Sequence, residues 1–158
     1  MTATNALTSK ALTVVTMRLG RQHLAIPAAN LREILDPLPV TRVPTSSSFV
    51  WGVVNVRGAV VPLADLRIPF GLTEDPQGKD LRMLVLDIEL AGEPAVVVVC
   101  ADAVDEVLPL DTALVEPLPA TGSTWDPSFV RGIFRKGGGF VILPHLPNIF
   151  ASATVGAS

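Results

Sequence analysis

The sequence predicts a mainly β protein built as two small barrels by internal duplication. Three observations carry this reading. Fourteen prolines and 12 glycines are scattered among Val-rich segments, so long helices are broken repeatedly and β-branched runs bounded by turn residues dominate. Residues 49–70 lie over 129–150 without a gap, matching Phe49 with Phe129, Val50 with Val130, Gly52 with Gly132 and Gly58 with Gly138; Val61, Leu63, Leu66 and Phe70 also recur. Upstream the offset changes, pairing residues 24–26 with 97–99 and 31–35 with 104–108. Two copies of one five-strand pattern imply two barrels packed together, because closure or mutual packing hides strand edges.

In chain order, residues 12–19 read as a strand, 20–22 as a turn and 23–27 as its hairpin partner. A loop or helical turn follows through 28–31, and 33–35 leads into Asp36-Pro37-Leu38-Pro39-Val40, which suits an edge or bulged strand because each proline removes a ladder donor. Residues 50–56 and 59–63 form a stronger hairpin around Asn55-Val56-Arg57-Gly58, where Asn first and Gly fourth suit a type I turn. The polar run 73–80 is the candidate linker near the midpoint. Residues 81–90 and 94–100 read as another hairpin, 117–127 as a loop, and 130–135 and 140–143 as closing strands. This gives a flexible tail at 1–11, a first barrel at about 12–72, a second at about 81–150, and a flexible tail at 151–158. Pro144 and Pro147 argue against a C-terminal helix, and residues after Phe150 are expected to fray.

Composition narrows the function. With 12 Lys plus Arg against 15 Asp plus Glu, the net charge of -3 supplies no basic surface for nucleic acid. No segment reaches the roughly 18 apolar residues of a membrane helix, and the N-terminus lacks the pattern of a secretory signal. The single Cys100 lies in an apolar strand, which fits a core residue in a reducing compartment. His23 and His145 have no Cys or acidic residue at metal-ligand spacing, so no metal site and no cofactor is assigned. Asp102, Asp105 and Glu106 read as solvated charges at a strand entrance, Gly137-Gly138-Gly139 as a hairpin tip, and no nucleophile, base and oxyanion set is present; the chain is not read as an enzyme.

One stretch is specific. Glu33-Ile34, Val43-Pro44, the run from Phe49-Val50-Trp51-Gly52 through Asn55-Val56-Arg57-Gly58, and Val61-Pro62-Leu63-Ala64-Asp65-Leu66-Arg67 closely resemble the CheW-like family of chemotaxis coupling proteins. The second half keeps Asp102-Ala103-Val104 and Phe129-Val130-Arg131-Gly132-Ile133, so the resemblance covers about residues 12–150. The sequence departs from the family at Val56, at Ser46-Ser47-Ser48, at the triple glycine, and at His145 opposite Asp65.

The resemblance implies two intertwined SH3-like five-stranded barrels forming one CheW-like domain. It also implies a non-enzymatic cytoplasmic adaptor that couples chemoreceptor tips to the regulatory domain of a CheA-type histidine kinase at membrane-bound receptor arrays, without inserting into the membrane or binding nucleic acid. A second reading is the same kind of adaptor, or a peptide-binding module, in another chemosensory pathway such as twitching or gliding motility.

Leu31, Glu33, Arg57, Met83 and Val104 are then candidates for a receptor groove at the barrel junction. Leu31, Met83 and Val104 also fit a shared core, and Glu33 with Arg57 also fits an ion pair that fixes the turn. Val43, Val54, Val56 and Val60 are candidates for an apolar flank that docks a similar kinase barrel. Gly52, Gly58 and Gly132 are assigned to turns and close packing, and Trp51 either covers a barrel seam or anchors a partner.

Overall fold

The computed structural model describes residues 11–43, 50–72, 80–119 and 126–157, with the side chains of Trp51 and of 152–157 outside the description. The expected N-terminal tail and linker therefore lie almost wholly outside the described residues. The described residues form eleven strands: β1 (Ala11–Leu19), β2 (Gln22–Pro27), β3 (Leu31–Leu35), β4 (Val40–Arg42), β5 (Val50–Val56), β6 (Ala59–Ala64), β7 (Arg82–Leu90), β8 (Glu93–Ala101), β9 (Ala103–Asp111), β10 (Val130–Lys136) and β11 (Gly139–Pro144). Among the described residues one α-helix, α1 (Leu146–Ala157), follows β11.

The strands form two curled sheets, ordered β3-β7-β8-β6-β5-β4 and β10-β11-β2-β1-β9. Each is an SH3-like barrel, but neither is a contiguous half of the sequence. The expected division at 12–72 and 81–150 is corrected: hairpin β1–β2 completes the second barrel and β7–β8 completes the first. β3 runs antiparallel to β7, and β9 to β1. Parallel pairs close the exchange, with Leu63 opposite Val98 in one barrel and Ile142 opposite Leu24 in the other.

The exchange follows from where apolar side chains go. Met83, Val85 and Val98 point into the first barrel with Val54, Val56, Val61 and Leu63. Their neighbours Leu84, Leu86, Ile88, Val97 and Val99 point the other way, into a larger core shared with Met17, Leu19, Leu24 and Ile26. Val14 and Ala25 turn into the second barrel with Leu110, Phe134, Val141 and Leu143. The exchanged hairpins are thus buried on both faces, which is why they read as near-continuous apolar runs rather than as alternation. Pro109 lies in β9 opposite Thr13 at a sheet edge, where a missing donor is tolerated.

Turn chemistry differs from the expected type I. Val56 pairs with Ala59, leaving a two-residue loop in which Arg57 has φ 52° and Gly58 φ 89°. Positive φ at both central residues defines type I′, whose twist matches a right-handed hairpin. Asn55 Oδ1 accepts from the Gly58 N–H at 2.8 Å.

The C-terminal helix also overturns its expectation. Pro147 occupies the first turn of α1, where its missing N–H has no intrahelical role. His145 Nδ1 accepts from the Asn148 N–H at 3.1 Å as an N-cap, and the His145 N–H donates to Phe129 O at 2.7 Å. Leu146, Ile149 and Phe150 enter the shared core from one helix face.

Duplication is visible in atomic detail at two glycines. A Cβ on Gly52 would lie 2.6 Å from Val40 Cγ1 and 2.9 Å from Thr41 O; on Gly132 it would lie 2.5 Å from Val115 Cγ1 and 2.8 Å from Glu116 O. Because a carbonyl oxygen is struck in both, the flanking backbone would have to move. Gly132→Ala is therefore expected to lower the unfolding free energy in a urea titration by about 1–3 kcal/mol. Gly58→Asn should cost less than about 1 kcal/mol, because asparagine tolerates the left-handed region.

Candidate functional site

Where the two barrels meet, Arg18, Ile34, Asp80, Arg82, Ala103, Val104 and Asp105 line an open cleft of about 340 Å³. Its walls come from β1, β3, β9 and the entrance to β7, so the hairpin exchange creates it. Ile34 is 41% exposed, and half-buried Val104 packs against the shared core beneath. Four of the seven lining residues are charged, and Ile34, Ala103 and Val104 supply the apolar contact between them. Arg18 Nε lies 3.4 Å from Asp105 Oδ1, His23 Nδ1 lies 3.7 Å from Asp105 Oδ2, and Arg82 Nε lies 3.7 Å from Asp36 Oδ1.

Matching bulges shape the two strands that face each other across the cleft. In β3 the pairing with β7 slips between Leu31 and Glu33, leaving Arg32 as the extra residue. In β9 the pairing with β1 slips at the same relative place, leaving Asp105 extra. Arg32 forms a bidentate pair with Asp87, at 2.6 Å and 3.1 Å. At the second bulge the charges are reversed, with Asp105 facing Arg18. Thr16 Oγ1 supports that bulge, donating to Glu106 O at 3.3 Å and accepting from the Glu106 N–H at 3.2 Å.

Glu33, at the end of the first bulge, reaches the β5–β6 tip. Arg57 Nη2 lies 2.7 Å from its Oε2 and Arg57 Nε 3.1 Å from its Oε1. The hydrogen bond from Arg57 holds the Glu33 carboxyl below its ordinary value of 4.5, against a smaller opposing effect of burial. The second barrel repeats the brace with Glu106 and Lys136. Beside that tip Arg135 sits 5.3 Å from the centre of the Phe140 ring and 3.4 Å from Glu116.

The structure sorts the residues singled out from sequence. Val104 lines the cleft, and Glu33 and Arg57 form a pair next to it. Leu31 is half-buried against the shared core. Met83 is corrected: it is 3% exposed inside the first barrel, and its Sδ accepts from the Leu38 N–H at 3.3 Å. Of the four valines, Val60 is 71% exposed and Val43 half-buried. Val54 and Val56, at 2% and 8%, are corrected to the barrel core, because strand alternation turns them inward and Val60 outward. Arg18, Ile34, Asp80, Arg82 and Asp105 were not anticipated. The repeat holds one signal for them: Ile34 aligns with Val107, and both remain exposed.

Chemically the cleft offers apolar contact framed by both signs of charge. Burial, followed by the Asp65 carboxylate, pushes the Cys100 thiol up to about 11, so it stays protonated and unreactive at neutral pH. Among the described residues no three His, Cys, Asp or Glu side chains cluster to hold a metal ion, and no helix is long and apolar enough to cross a membrane.

Comparison with known proteins places this architecture. The family model for the CheW-like domain matches residues 13–154. Chemotaxis protein CheW of Rhizobium meliloti is 28% identical over 151 residues, covering 95% of this chain and 94% of that protein. Chemotaxis protein CheW of Helicobacter pylori is 37% identical over 105 residues, covering 65% of this chain and 60% of that protein. The crystal structure of scaffolding protein TtCheW from Thermoanaerobacter tengcongensis superposes with a TM-score of 0.77 at 28% identity, covering 88% of this chain and 87% of that one. With the family model spanning nearly all of the chain and the exchanged barrels matching a solved scaffold, the chain belongs to the CheW-like domain family.

Proposed function

We propose that this chain is a non-enzymatic cytoplasmic adaptor that joins the cytoplasmic tips of chemoreceptors to the regulatory domain of a CheA-type histidine kinase. The match of the whole domain to the CheW-like family carries the reading. The cleft supports the receptor half of it. An apolar strip of Ile34 and Val104 with charges along its rim suits one face of an amphipathic helical hairpin, whose flanking charges pair with the rim. Leu31 supports the floor from beneath, and the Glu33–Arg57 brace fixes the neighbouring tip.

Kinase docking falls on the first barrel. Val60 stands out from the β5–β6 hairpin near its type I′ turn and half-buried Val43 follows β4, so the first barrel presents β-branched side chains away from the cleft. Separate faces for two partners are what bridging requires. The adaptor works by raising the effective concentration of kinase at the receptor, and recruitment to membrane-bound arrays follows from receptor binding.

Titration of the chain into a mixture of receptor and kinase should give a bell-shaped kinase response. Activity rises as ternary complexes form and declines when excess adaptor occupies each partner separately. A saturating rise would count against bridging. Ile34→Arg should weaken binding of a receptor cytoplasmic fragment about tenfold or more, which is about 1.4 kcal/mol, with an unchanged urea midpoint and unchanged kinase affinity. Val60→Glu should do the reverse, and equal loss of both partners in either variant would merge the two surfaces into one.

The brace has its own signature. Since pairing lowers the Glu33 carboxyl, its contribution to the folded tip is complete above the ordinary value of 4.5 and is lost as pH falls through the lowered one. Carboxyl NMR should find the Glu33 midpoint below 4.5 in the wild type and shifted upward in Arg57→Ala. An unmoved midpoint would remove the pair as the cause.

A further inference from the structure

The chain leaves the first barrel for the second at a single residue, Asp102, between the end of β8 and the start of β9. Its carboxylate is gripped from both sides. Oδ1 accepts from Nη2 of Arg67, and Oδ2 accepts from the Gly20 N–H at 2.6 Å, in the β1–β2 turn of the second barrel. The Asp102 N–H donates to Arg18 O at 2.8 Å. Arg67 comes from the turn after β6 in the first barrel and is 3% exposed. Its Nη1 lies 3.7 Å from Asp65 Oδ1, while Nε and Nη1 have no hydrogen-bond partner among the described residues. A buried guanidinium so sparsely satisfied depends on the Asp102 carboxylate for its compensation.

The pair is not a requirement of the barrel fold, because the other half dispenses with it. The counterparts of Asp65 and Arg67 are His145 and Pro147, which start α1. The opposite crossover, Ala28–Asn30, carries no charge and is tied by Asn30 Nδ2 to Asp87 O at 2.8 Å. The ion pair stands at the crossover whose next three residues all line the cleft: Ala103, Val104 and Asp105 follow Asp102 directly, and Arg18 is the residue its N–H holds.

We infer that Arg67 and Asp102 are positioning residues of the cleft, an ion pair between a buried arginine and a part-buried aspartate that clamps the crossover and so sets how far the β9 wall stands from the β3 wall. Neither side chain lines the cleft. Both act through Arg18 and the first residues of β9. The inference rests on the cleft being the receptor site, but the clamp itself has a readout that needs no receptor.

The test uses the full chain with Cys100→Ala and nitroxide labels at Ile34→Cys and Val107→Cys, exposed positions on β3 and β9 that take no part in the pair. Pulsed electron resonance should give a narrow distance distribution with the pair intact. Arg67→Met alone should lower the melting temperature, because the Asp102 carboxylate loses its cation. Arg67→Met with Asp102→Asn removes both charges and keeps an acceptor for the Gly20 N–H, so it should recover most of the melting temperature. The same double variant, without labels, should still bind a receptor fragment at least tenfold more weakly, and its labelled form should show a broadened distance distribution. Recovery of stability together with wild-type width and affinity would show a merely structural pair and overturn the inference. Should the double variant fail to fold, Asp102→Asn alone decides, an unchanged width overturning it. If the wild type binds no receptor fragment, the cleft assignment fails while the distance width still judges the clamp.

Discussion

Burial of two hairpins on both faces is the constraint on which the molecule depends. β7 and β8 fill the first barrel with one set of side chains and the shared core with the other, and β1 and β2 do the same for the second barrel. A barrel of this size encloses few side chains, so a lone copy would leave the outer faces of its hairpins wet. Packing those faces against each other makes one large core from two small ones. The same arrangement leaves an opening between the barrels: the cleft is their seam, walled by strands from both.

Polar contacts then set what the apolar contacts leave loose. Hydrophobic burial is non-directional, so a seam made only of Leu, Ile and Val permits sliding. The Arg67–Asp102 pair, the Gly20 N–H and the bulges at Arg32 and Asp105 are directional, and they cluster at the points where chain passes between barrels. Asymmetry between the halves is concentrated in the same places. Gly52 and Gly132 remain interchangeable in their surroundings, whereas the segments after β6 and β11 have become a turn with a buried arginine and a capped helix.

How far the sequence could be read follows from these distinctions. The duplication, the strands and the close-packed glycines were legible because turn residues and repeated Gly positions mark them directly. The pairing partners of the hairpins were not, since both halves carry the same inward pattern and either hairpin satisfies either barrel. Parity within Val53-Val54 and Val60-Val61 was hidden for a simpler reason: adjacent valines carry no alternation, so Val54 and Val56 read as plausible surface as readily as Val60. Pro147 looked like a helix breaker because its position in the first turn depends on where the helix begins. Arg67 gave no sign of burial, as its aspartate lies 35 positions away across a barrel boundary.

The reversed charges at the two bulges say how a duplicated chain avoids assembling with itself in the wrong order. Arg32 and Arg18 come from the first half, Asp87 and Asp105 from the second, and both observed pairs join one half to the other. Were each hairpin to complete its own half instead, Arg18 would stand against Arg32 and Asp87 against Asp105. Like charges would then meet at both bulges in place of opposite ones. Two copies of one unit, alike in apolar pattern, carry complementary polarity, so that two solvent-accessible ion pairs favour the exchanged pairing over the alternative that the cores alone would accept.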